Sequence, residues 1–291
     1  MAPSLLQRLA ALPAFGRIAV VVLILLAVWL PLALPIYAYV PDPNWVSIVS
    51  MLLLYAEFVA IVRLWGRWVQ NEPHPLRRYG LVWTRQAAIE LGRNLALGWA
   101  IVAFVFSLET ACGWVHWQAL PLHLGWIAIE GGVIAIGVAS AEELVFRGWL
   151  WDELHRDYRR AVALPLSAIV FAALHYIRPL DLILSTWPQF FGLVLLGLLL
   201  GWTKNITQNR LSGAIGLHGG LVWAYYVVSV GQLVDYPAAT PAWLTGIGGN
   251  PLAGLVGLTS LTGVGVVLAR RARSCQGSIA PECPGRSPLK R

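Results

Sequence analysis

The chain has 291 residues, 58% of them apolar and only 12% charged, against about 25% charged in soluble domains, so a soluble globular enzyme is excluded. The net charge of +7 does not indicate nucleic acid, because the basic residues fall between apolar segments instead of forming one patch. Three cysteines, Cys112, Cys275 and Cys283, stand in no CxxC or Cys/His cluster, which argues against a disulfide framework or a zinc finger and for free thiols.

Taken in order, a short lead with Arg8 and Arg17 precedes the apolar run Ile18–Tyr39, long enough to cross a hydrocarbon core of about 30 Å. It is too long for a signal-peptide core and is expected to be a retained first span, kinked at Pro31 and Pro35. A second span follows at Trp45–Arg63, then a long polar connection Gly66–Arg93, then a third span at Leu95–Ala111. The fourth begins near Leu124 and runs into the polar stretch Asp152–Arg160. The fifth is placed at Ala161–Ile177, the sixth at Trp187–Thr203, the seventh at Ser212–Val230 and the eighth at Pro251–Leu268. Ala269–Arg291 is basic, rich in Pro, Gly and Ser, and reads as disordered. The chain therefore divides into N-terminal transmembrane helices (1–130), a helical core (131–268) and a basic tail (269–291). The predicted fold is all-α, a polytopic bundle of about eight transmembrane helices around a polar cavity.

Charge placement tests this layout. With the N-terminus in the cytoplasm, all of the 21 Lys and Arg residues except Arg147 and Arg178 fall on the cytoplasmic side. The positive-inside rule is thus met by eight spans with both termini cytoplasmic. No internal repeat is evident, so the inverted halves common in transporters are not supported.

The chemistry concentrates at Ala141–Trp151, AEELVFRGWLW, which sets two carboxylates and an arginine among apolar neighbours. A charged side chain at bilayer depth costs about 3 kcal/mol on insertion scales, so three within six positions need a reason. On a helix Glu143 and Arg147 are i,i+4 neighbours in the favourable order, acid first. Glu142 is rotated by about 100° from Glu143. One carboxylate is neutralised and the other is left for chemistry. Two histidines follow on separate spans, His175 in FAALH and His218 in IGLHGG. Alone, either would be read as a packing histidine bonded to a carbonyl or a neighbouring helix, as Glu57, Glu109 and Glu130 are read as packing or water-facing groups. Together with the Glu-Glu-x-x-x-Arg set, the histidines can supply a base, a proton shuttle and an oxyanion donor.

Glu142-Glu143-x-x-x-Arg147, Phe171-x-x-x-His175 and His218, in this order on consecutive spans, resemble the three motifs of the CPBP intramembrane proteases. That family includes the CaaX prenyl-protein endopeptidases and bacterial Abi-type proteins, and the resemblance covers about residues 131–231. It implies a helical bundle around a water-filled cavity that opens to the membrane, and an endopeptidase acting on membrane-associated protein or peptide substrates. It also implies roles. Glu142, assisted by His175, activates water; His218 stabilises the oxyanion; Glu143 and Arg147 orient the helix end. Two histidines and a glutamate would also make a catalytic zinc set, although HExxH is absent, and a metal-free glutamate mechanism uses the same residues. The third motif usually has Asn or Asp four residues after its histidine. Here that position is Val222, resembling a GLHxG variant of bacterial members, with Asn250 as the replacement oxyanion donor or else a helix cap. The bacterial likeness implies the inner membrane, and bacteria generally lack prenylated CaaX proteins, so the CaaX specificity itself is not expected. An inactive scaffold, immunity or maturation factor of the same fold, or a small proton-relaying transporter, are the alternatives.

Overall fold

The computed structural model describes residues 3–277. A short capped helix α1 (Leu5–Ala10) leads into α2 (Ala14–Tyr39) and α3 (Pro43–Trp68), which pack as an antiparallel hairpin. The hairpin turn is closed by Asp42, whose carboxylate accepts the Asn44 N–H and lets Pro43 open α3 at the first turn. Pro31 and Pro35 are carried inside α2 without ending it. A four-residue turn α4 (Pro75–Arg78) precedes α5 (Arg85–Ala111). Thr84 caps α5 by accepting the Ala87 N–H, so this helix starts ten residues before the predicted third span, within what composition marks as a polar connection.

One rod then runs through α6 (Leu124–Glu143), a π-helical segment (Leu144–Leu150) and α7 (Trp151–Asp157). After it come α8 (Arg160–Leu174), the small α9 (Leu180–Thr186), α10 (Gln189–Ile206) and α11 (Ser212–Val230). The seventh predicted span is matched to the residue. Two-residue strands β1 (His116–Trp117) and β2 (Val234–Asp235) pair antiparallel. The turn α12 (Ala242–Thr245) and two short 3-10 turns lead to α13 (Leu255–Gly277).

Among the described residues, seven helices are long and apolar enough to cross a membrane, and the chain is an integral membrane protein. The predicted fifth span is α8, which at 15 residues reaches about 22 Å at 1.5 Å per residue, shorter than the full hydrocarbon core. The tail boundary also moves: α13 continues to Gly277, nine residues past the predicted end of the eighth span at Leu268, and 278–291 lie outside the described residues. Cys112 is a free, exposed thiol. The division at residue 130 falls inside α6, and α5 packs more closely on α11 than any other pair of elements, so helices from both sides of that boundary build one bundle.

The α5–α11 contact is close because its faces carry no side chains. A Cβ on Gly98 would lie 2.6 Å from the Leu221 nitrogen, and one on Gly220 would run into the Leu95 carbonyl oxygen. Gly216 and Gly220 thus form a small-x-x-x-small stripe, the arrangement by which membrane helices approach when hydrophobic burial gives no drive. On the other flank, the α2–α3 hairpin is tied to α7 through Glu153, which is fully buried. Its carboxylate accepts Arg17 Nε at 2.7 Å and Trp65 Nε1 at 3.0 Å, and also receives the Gln70 amide.

Candidate active site

The rod changes pitch just after the two glutamates. Leu144–Leu150 has the widened turns of a π-helix, and at its end the Trp151 N–H closes a tighter i→i−3 bond to Gly148 O. The Arg147 carbonyl, within this segment, receives the ammonium of Lys204 from α10. Lys204 is only 3% exposed, so a lysine that composition assigns to a loop is in fact buried against the π segment. Widened turns of this kind cluster at functional sites, and no periodicity of side chains announces one.

Arg147 is the largest fully buried side chain. Its guanidinium donates from Nη1 to Glu143 Oε1 at 3.0 Å and from Nη2 to Gly197 O at 3.2 Å. It also lies 4.4 Å from the centre of the Phe171 ring. The i,i+4 pair read from the sequence is therefore formed. Glu143 Oε1 has a second partner that sequence spacing does not give: His218 Nδ1, at 3.0 Å, from a helix 75 residues away.

Glu142, rotated away from this pair, faces the two histidines. Its Oε2 lies 3.7 Å from His175 Nε2 and 3.9 Å from His218 Nε2, and it is buried without a hydrogen-bond partner. His175 ends α8, and its Nδ1 lies 2.7 Å from Phe171 O. A carbonyl only accepts, so that nitrogen carries the proton and a neutral His175 turns a lone pair toward Glu142. His218 is constrained likewise, since ionised Glu143 also only accepts. Phe171 is the hub of the group: Arg147 lies against its ring, and the His175 and His218 rings lie 4.4 and 6.2 Å from it. Sequence reading treats this phenylalanine as a motif letter, and its spacing four residues before His175 is the signal that it shares that face.

Asn250 is not part of this group. Its Oδ1 accepts the Leu252 N–H at 3.1 Å and caps the 3-10 turn ahead of α13, the alternative role foreseen for it. It makes no hydrogen bond to Glu142, His175 or His218 among the described residues. Val222 stands one turn beyond His218 and offers no polar atom. Among the packing glutamates, Glu109 is fully buried and accepts the Tyr236 hydroxyl at 3.4 Å, Glu130 is exposed, and both oxygens of Glu57 are buried without a partner.

The donor chemistry resembles a His-His-Glu zinc set, with each Nε2 free because Nδ1 is engaged. The spacing is wider. Ligands of a tetrahedral zinc with bonds of about 2.0 Å sit about 3.3 Å apart, and no group of three or more His, Cys, Asp or Glu among the described residues is placed to hold a metal ion. The arrangement is one carboxylate oxygen facing two imidazole nitrogens at 3.7 and 3.9 Å, separations that are too long for a direct hydrogen bond.

Ionisable groups held together inside a helical membrane protein mark a candidate functional site. The family model for type II CAAX prenyl endopeptidases, described as Rce1-like, matches residues 124–224, from the start of α6 into α11. The matched segment contains all three motifs, and it supports the likeness to the CaaX-protease family and its intramembrane helical fold. No curated protein and no solved structure matched the chain.

Proposed function

We propose that the chain is an intramembrane endopeptidase that hydrolyses peptide bonds of membrane-associated proteins or peptides with a water activated by Glu142. The observation that carries this reading is the approach of His175 Nε2 and His218 Nε2, from two other helices, to the buried and unpartnered Oε2 of Glu142. Glu142 takes the proton of a water held among the three groups, and the hydroxide attacks the scissile carbonyl. His175, its Nδ1 fixed by Phe171 O, carries the proton on toward the leaving amine.

The oxyanion role read for His218 acquires a condition. With Nδ1 given to Glu143, only the imidazolium form has an Nε2 hydrogen to offer the oxyanion. Glu143 stabilises that cation and Arg147 fixes Glu143, so the ion pair sets the charge of His218 as well as the position of the helix end. We place the working core at 131–268, in a bacterial inner membrane by the family likeness, with both termini cytoplasmic by the charge asymmetry between loops, a topology in which the short α8 makes the eighth passage between the two sides. Val222 is the one feature favouring a non-hydrolytic scaffold of the same fold, because it removes a polar group beside His218.

Cleavage of native membrane proteins by the purified protein, beside Glu142→Ala and with or without chelator, tests the reading. Cleavage by the wild type that persists in chelator and is abolished in a folded Glu142→Ala is the expected result. Full activity of that variant refutes the assignment, loss in chelator refutes the metal-free form, and no cleavage by folded wild type favours the scaffold.

A further inference from the structure

A cavity of about 500 Å³ lies at the far end of α11, where that helix meets the β1–β2 pair and the turns before α13. Phe106, Tyr225, Ser229, Asp235, Tyr236 and Gly249 are among the residues that line it. Its relation to the candidate active site follows from helix periodicity. Val222, Tyr225 and Ser229 stand four, seven and eleven residues after His218, which puts all four on one face of α11. The other faces are committed: Gly216 and Gly220 lie against α5, while Gly219, Trp223 and Tyr226 lie against α6. The face that carries His218 is thus the one that continues to the cavity. At 1.5 Å per residue, Tyr225 lies about 10 Å and Ser229 about 16 Å along the axis from His218.

The chemistry of the walls has one sign. Among the described residues Asp235 is the only lining residue with a formal charge, and Phe106, Tyr225 and Tyr236 contribute ring faces. Both tyrosine hydroxyl protons are already engaged, Tyr225 with Gly249 O at the cavity wall and Tyr236 with Glu109 Oε2, so the two oxygens have only lone pairs left to offer a ligand. Behind Tyr236, Glu109 is fully buried and its Oε1 has no partner. His116, the register partner of Asp235 across the β pair, is the one titratable group opposite it on β1. Aromatic faces and acceptors around a carboxylate select an ammonium or guanidinium group.

The geometry points to this cavity as the subsite for a lysine or arginine side chain of the peptide cleaved at Glu142. At about 3.3 Å per extended residue, the span of about 10–16 Å sets that basic residue about three to five positions from the scissile bond. The assignment rests on the endopeptidase reading and gives it a substrate class, chains with a basic residue at fixed register from the cleaved bond.

Binding separates the two claims. The Glu142→Ala protein in detergent is titrated with short fluorescein-labelled alanine–leucine peptides carrying one lysine or, at the same position, norleucine, and anisotropy is read. The lysine peptide is expected to bind about tenfold more tightly, with most of that preference lost in Asp235→Asn, an exposed position where folding is not at stake. Equal affinity for the two peptides, or a preference untouched by Asp235→Asn, overturns the subsite. Wild type is then given peptides with the lysine moved stepwise along the chain. Cuts that follow the lysine at three to five residues support the register, and cuts that ignore it overturn the subsite while leaving hydrolysis intact. Lysine-dependent binding with no cleavage at any position supports the cation site and refutes the endopeptidase reading.

Discussion

Replacing Arg147 by Met is the sharpest test of how the site is held. The side chain is 1% exposed and serves Glu143, Gly197 O and the Phe171 ring at once. Met keeps most of the volume, so the loss is electrostatic. It leaves Glu143 as a fully buried carboxylate with only His218 as partner. Breaking a buried pair by removing one member costs about 3–5 kcal/mol, because the stranded charge keeps its desolvation penalty. In Glu143→Gln/Arg147→Met the stranded charge is gone, and the new amide's carbonyl oxygen still accepts His218 Nδ1–H. The Gly197 carbonyl alone loses its donor, a cost of about 1–3 kcal/mol for an unsatisfied buried group. The double variant is therefore expected to be more stable than Arg147→Met by about 2 kcal/mol, so the two substitutions are expected to be non-additive, as for residues in one network. Denaturant titration of the four proteins of the cycle in the same detergent measures it. Additive losses, with the double variant less stable than either single, would refute the pairing as the reason for the charges. The same double variant is expected to hydrolyse poorly, since a neutral amide in place of the Glu143 carboxylate no longer stabilises a cationic His218.

Two further expectations use the same stability assay. Gly220→Leu should abolish the folded state, because even a Cβ meets the Leu95 carbonyl, whereas Gly137→Ala on α6, where a Cβ meets nothing within 4 Å, should be neutral or stabilising by up to about 1 kcal/mol; equal behaviour of the two would refute the close α5–α11 crossing. Asn250→Ala should cost about 1 kcal/mol of stability through loss of its cap and leave kcat within a few-fold, and a fall of about a hundredfold in kcat would restore the oxyanion role.

What could be read from sequence follows the range of the interactions involved. The i,i+4 pair of Glu143 and Arg147 is local, and it was legible from spacing alone. The bounds of α11 were legible because Arg210 before it and Gly231 after it mark the edges of a continuous apolar run. The start of α5 was not, since Arg85–Arg93 reads as a polar loop and only the Thr84 cap shows that the helix begins before the apolar run. Nor does α9 have the length to register between the fifth and sixth spans. The His218–Glu143 bond and the burial of Lys204 depend on helices far apart in the chain, and a shift from α to π pitch leaves no mark on hydrophobic periodicity. The oxyanion assignment for Asn250 came from a missing polar group at Val222 and not from any pattern at Asn250 itself, and the structure gives that side chain to Leu252.

The anchor between the N-terminal hairpin and α7 has a temporal side. Arg17 and Glu153 are separated by 136 residues, so at about 5–20 residues per second the arginine waits about 7–27 seconds of synthesis for its partner. Throughout that interval it is an unpaired cation at the mouth of a long apolar helix, the kind of signal by which a nascent segment is held on the side of the membrane where it was made. Once Glu153 emerges, the same guanidinium stops being an address and becomes a clasp. One residue thus serves the chain twice, at two stages of its making.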